Sequence, residues 1–151
     1  MNDLGFFAIT LENIQLHEKL CDTLGSYIKN HPKQHIVLFN QYSEKIDTKN
    51  IPILPLSHSK YFDGSLVVFD IQSLLIAEGS IKCKNLYFYA QNIPWQISYS
   101  HYSDWKNIMK HDKLKVIANS TYLHEIYNMV WNNSIGICED INYEQFSKFV
   151  Q

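Results

Sequence analysis

Arginine is absent from this chain of 151 residues, and all thirteen of its Lys-or-Arg residues are lysine. No bidentate guanidinium clamp on a phosphate or carboxylate can therefore be built. The lysines form no block or stripe and the formal net charge is −2. Phosphate-backbone binding draws on clustered cations, so no nucleic acid partner is expected. Glycine is scarce, at five residues, and none falls in Thr10-Leu11-Glu12-Asn13-Ile14-Gln15, the stretch after the first apolar run. A dinucleotide pyrophosphate needs glycines there so that the backbone can come close, and Glu12 would repel it; NAD and FAD are not expected. A G-K-[ST] triplet is missing too, which excludes a Walker loop.

Cysteine is limited to positions 21, 83 and 138, an odd number with no C-x-x-C spacing. A reduced, cytoplasmic setting is the simplest expectation. No Cys/His grouping has metal-ligand spacing, and the His17-Glu18 pair is followed by Leu20 and Cys21, not by the second histidine of H-E-x-x-H. No metal and no cofactor are expected. A G-x-S-x-G elbow for a hydrolase triad is lacking. Long apolar runs are lacking as well: the run at 6–9 is short and has no basic flank, so it reads as neither a signal peptide nor a membrane span. Without a secretion signal, the sequons at Asn119-Ser120-Thr121 and Asn132-Asn133-Ser134 carry no glycosylation reading.

What is present is apolar and aromatic. Hydrophobic residues make up 46% of the chain, enough for a packed interior, and ten are tyrosines, which can be buried with the hydroxyl kept wet. Abundant Lys, Asn, Ile and Tyr without Arg point to an AT-rich genome, such as that of a small marine bacterium or a bacterial virus. One domain over 1–151 accounts for the whole sequence.

Apolar runs and helical spacing alternate. Strands are expected over 5–10, 35–40, 51–56 (at an edge, because of Pro52 and Pro55), 65–69, 85–89, 114–118 and 134–138. Helices are expected over 13–30, 71–78, 102–110, a segment from Ser120 or Thr121, and 143–150. On the first helix Ile14, His17, Leu20, Cys21, Leu24 and Ile28 share a face; on the fourth, Leu123, Ile126, Tyr127 and Val130 do. Asp63-Gly64 reads as a turn and 90–95 as a loop. Strands apolar on both faces, alternating with helices, predict an α/β fold: a Rossmann-like three-layer sandwich with a mostly parallel sheet of six to seven strands.

Such sheets bind ligands at the carboxyl ends of their strands. That rule selects Thr10, Leu11, Asn40, Gln41, Asp70, Gln91, Asn92, Trp95, Asn119, Ser120 and Thr121. Asp70 is the one candidate base, although a cap on the helix that starts at Ile71 is the stronger reading of it. Gln91 and Asn92 beside Trp95 offer amides and an indole face to a sugar, or else form a loop pinned by a buried ring. His101, three residues before Asp104, is a further substrate-binding candidate; His111 and His124 are isolated.

Three segments carry a family resemblance. They are Tyr87-Phe88-Tyr89-Ala90-Gln91-Asn92-Ile93-Pro94, Val116-Ile117-Ala118-Asn119-Ser120 and Ile137-Cys138-Glu139-Asp140-Ile141-Asn142-Tyr143-Glu144-Gln145-Phe146. In this order they resemble the amino-terminal, acceptor-side domain of the GT-B glycosyltransferases. The departures are Gln91 where that family often has His, Glu139-Asp140-Ile141 in place of a proline-asparagine-glycine turn, and the missing glycine loop. The resemblance implies a glycan or small-molecule acceptor. It implies hexosyl transfer only together with a separate sugar-nucleotide-binding domain, because no donor domain has a counterpart here; otherwise the chain is a non-catalytic relic. The alternative is a non-catalytic binding or assembly protein on the same scaffold, including a homo-oligomer.

Overall fold

The computed structural model describes residues 3–8, 14–40, 51–79, 82–97 and 102–150. In chain order these form β1 (Asp3–Ala8), α1 (Ile14–Asn30), β2 (Ile36–Asn40), β3 (Ile53–Pro55), a 3-10 turn (Leu56–Tyr61), β4 (Gly64–Val68) and α2 (Ile71–Glu78). They continue with β5 (Asn85–Ala90), α3 (Pro94–Ile97), α4 (Tyr102–Met109), β6 (Leu114–Ala118), α5 (Thr121–Val130), β7 (Ser134–Ile137) and α6 (Tyr143–Phe146). The seven strands make one sheet in the order β3-β2-β1-β4-β5-β6-β7, with every neighbouring pair parallel. The fold is the expected Rossmann-like α/β sandwich.

The order explains the layering. Winding runs one way from β1 to β3 and the other way from β4 to β7. Crossovers of one hand then place their helices on opposite faces. Side chains of α1 (Leu20, Cys21, Leu24, Tyr27) pack with Phe6, Leu38, Val67 and Tyr89 on one face. Those of α2, α4 and α5 (Leu74, Trp105, Tyr127) pack with Phe39, Val68, Phe88 and Val116 on the other.

The first face needs more cover than α1 gives, and residues 138–150 supply it. Phe146 is fully buried, with its ring 5.8 Å from Tyr89, 6.3 Å from Phe69 and 6.4 Å from Phe6. The last helix, expected over 143–150, is therefore cut to Tyr143–Phe146: the chain turns so that Phe149 lies on Gly136 and Val150 reaches the Tyr27 hydroxyl.

Other differences have local causes. Gly64 is not a turn residue but the buried first residue of β4, pressed against the backbone of Asp3. The loop expected over 90–95 ends in a helical turn, with Pro94 in the first position, where its missing N–H costs nothing. On α1, Thr23 and Tyr27 join the buried face and Ile28 is half-buried, while the side chains of Ile14 and His17 lie outside the described residues. On α5, Leu123 and Tyr127 are buried but Val130 is half-exposed.

Candidate functional site

Register decides which strand-end residues meet. Val68 pairs with Phe88 and Ala90 with Ala118, so the loops after β4, β5 and β6 leave the sheet side by side. Neighbouring strands lie about 4.8 Å apart, which sets Asp70, Gln91 and Asn119 in a row of roughly 10 Å. The Asn119 amide donates to Ala90 O at 3.0 Å, extending the ladder and tying the two loops together. Beyond it, Cys138 N donates to Ala118 O and the Tyr89 hydroxyl to Cys138 O, so the β7 loop joins the same edge.

Asp70 is the cap of α2. Its Oδ1 accepts from Ser73 N at 2.8 Å and its Oδ2 from Ser73 Oγ at 2.6 Å, and it remains half-exposed. Ser120 caps α5, accepting from Leu123 N at 3.3 Å. Trp95 is half-buried, edge-on to Tyr127 at 5.5 Å and to Trp131 at 6.2 Å, and the Tyr127 hydroxyl reaches Asn92 O at 3.4 Å. The indole thus pins the loop while the side chains of Gln91 and Asn92 stay in water. Asn40, at the end of β2, is buried. His101, Thr10, Leu11 and Gln41 lie outside the described residues.

The charge of this edge is distinctive. The loops leaving β4, β5, β6 and β7 contain no lysine, and Asp140 is paired with Lys19 of α1 at 2.6 Å. Besides amides and hydroxyls, these four loops carry the carboxylates of Asp70, Glu139 and Asp140, a set that suits hydroxyl groups and not a diphosphate. Among the described residues, no group of three or more His, Cys, Asp or Glu could hold a metal ion, and no helix is long and apolar enough to cross a membrane.

Burial keeps several thiol and phenol groups of the core protonated. Burial pushes the Cys138 thiol up to about 11, against the hydrogen bond it makes to Asp140 O, which lowers it. Burial likewise raises Tyr27, Tyr89 and Tyr127 above the usual phenol value, and Cys83 above the usual thiol value. These groups are neutral when protonated, and the folded state holds their protons more tightly than the unfolded state does. Their contribution is complete below the ordinary thiol value of about 8.5 and is lost as pH rises through the folded values. The melting temperature is expected to hold from neutral pH to about pH 8.5 and then to fall up to about pH 11, less steeply in Cys138→Ala. A flat profile through pH 11 would refute the linkage.

A second feature was not visible in the sequence. A cleft of about 530 Å³ opens between α1 and α6, lined by Ser26, Lys29 and Asn30 on one side and residues 142–145 on the other. It shares no residue with the strand-end row. Its walls are distant in sequence, and only the Asn142-to-Gln145 run of polar side chains could have hinted at it.

The chain matches no protein family, no curated protein and no solved structure.

Proposed function

We propose that the carboxyl edge of the sheet binds a sugar or a similar polyhydroxylated acceptor, and that the chain is a glycosyltransferase-like acceptor domain working with a sugar-nucleotide domain held elsewhere. The observation that carries this reading is the row of Asp70, Gln91, Asn92, Asn119 and Ser120, uncharged but for one carboxylate and free of lysine. A donor's diphosphate finds no cation in these loops, whereas an acceptor hydroxyl finds donors and acceptors side by side. Asp70 is the base in this scheme. A carboxylate oxygen has two lone pairs, so Oδ2 can keep Ser73 and still accept a substrate hydroxyl. Transfer itself needs both substrates in one cleft, and this domain supplies one wall.

The test is a thermal shift with free sugars and sugar nucleotides, because ligand binding to the native state raises apparent stability. Free sugars are expected to raise the melting temperature, and Gln91→Ala with Asn119→Ala to abolish the rise. Asp70→Asn keeps an oxygen for the cap and separates ligand loss from helix loss. A flat panel would sink the acceptor reading. It would favour an assembly protein, for which Tyr122, Met129 and Val130, exposed on α5, supply an apolar surface.

A further inference from the structure

The cleft between α1 and α6 has walls that are already fixed. Hydrogen bonds tie α1 and the residue after it to the carboxyl-terminal segment: Thr23 Oγ1 donates to Ile141 O at 3.0 Å, the Tyr27 hydroxyl to Val150 O at 3.2 Å, and His31 Nε2 meets the Tyr143 hydroxyl at 2.9 Å. The Tyr143 ring stands edge-on to Tyr27 at 4.9 Å. Rigid walls remove much of the ordering cost of binding.

The polar groups on those walls are oriented too. Asn30 Nδ2 donates to Ser26 O at 2.8 Å, which leaves Asn30 Oδ1 as an acceptor. Asn142 Oδ1 accepts from Gln145 N at 3.0 Å, and Gln145 Oε1 from Asp140 N at 3.4 Å, which leaves the Nδ2 and Nε2 groups as donors. Each amide spends one end on backbone and presents the other. Lys29 and Glu144 are both exposed and their charges cancel, so the lining favours neither an anion nor a cation. The volume, about 530 Å³, falls within the usual range for small-molecule sites.

From these features we infer that the cleft is a second binding site, for a neutral polyhydroxylated molecule of the monosaccharide class. A hydroxyl both donates and accepts, which matches a lining that holds acceptors at Asn30 Oδ1 and Glu144 and donors at Asn142 Nδ2 and Gln145 Nε2. The half-buried ring of Tyr143 gives an apolar face of the kind a pyranose presents in return. This inference stands apart from the reading of the carboxyl edge, since the two sites share no residue.

Saturation-transfer NMR with glucose, galactose, mannose and N-acetylglucosamine tests it, with glycine and methyl phosphate as the zwitterionic and anionic probes. Both sites could give a sugar signal, so the measurement is made in Gln91→Ala/Asn119→Ala, where the carboxyl edge is disabled. A sugar signal is expected there, weakened at least about tenfold in affinity by Glu144→Ala together with Asn30→Ala, the size of one or two lost hydrogen bonds. Both cleft residues are exposed, so their loss leaves the fold intact, which an unchanged melting temperature verifies. No sugar signal in the edge variant overturns the inference. So does a signal indifferent to the cleft substitutions, or one given by glycine or methyl phosphate in place of sugars.

Discussion

Gly64→Ala is expected to destabilise the fold by about 3 kcal/mol or more, a large effect for one methyl group. A Cβ on Gly64 would stand 2.2 Å from Asp3 O and 2.8 Å from Asp3 C. Those are backbone atoms of β1, not the end of a side chain that could swing away. Nor can β1 retreat, because it is held between β2 and β4, with Leu4 opposite both Ile36 and Ser65. The clash falls on the seam where the winding reverses, so relief would open the ladder that joins the two halves of the sheet. Gly25 is the control: a Cβ there meets nothing within 4 Å, and Gly25→Ala in the middle of α1 should be stabilising by about 0.5–1 kcal/mol. Urea unfolding measures both. A Gly64→Ala midpoint within error of the native chain would show that β1 and β4 can part at little cost.

This glycine marks the boundary of what the linear sequence conveys. Ser65 to Val68 reads as a central strand because its residues are apolar toward both faces, and the limits of α2 and β6 follow from the residues around them. Asp70 and Ser120 read as caps because each is a short oxygen-bearing side chain just before a helical stripe, and each does accept an N–H three residues on. Gly64 follows Asp63 and looks like half a turn, because nothing local shows that another strand's carbonyl will press against it. The same holds for both candidate sites. Strand ends can be named from the sequence, but that Gln91 and Asn119 emerge together depends on the pairing of Ala90 with Ala118. The cleft joins His31 to Tyr143, 112 residues apart, and no periodicity in either segment encodes that meeting. Tyr27 was missed for a chemical reason: its hydroxyl counts as polar, yet it finds a carbonyl at Val150 and the ring is buried.

The second large effect is expected at Phe146, the last residue of α6. Its ring is fully buried among Phe6, Phe69 and Tyr89, drawn from β1, the end of β4 and β5. Phe146→Ala removes a side chain that nothing nearby can replace, and truncation of a core phenylalanine costs about 3–5 kcal/mol. At roughly 2–4 °C per kcal/mol in a domain of this size, the melting temperature should fall by about 10 °C. The position of the loss matters as much as its size. Phe146 anchors residues 138–150 over one face only, the face that also buries Cys21 and Cys138, while Cys83 lies on the other. If the segment docks as a unit, the variant will open that face before it unfolds globally. Cys21 and Cys138 should then react with a thiol reagent faster than in the native chain while Cys83 stays protected. Equal acceleration at all three cysteines would mean that only global unfolding exposes them. A loss below about 1 kcal/mol would mean that the neighbouring rings close over the gap, and that Phe146 is not what fastens the carboxyl-terminal segment to the sheet.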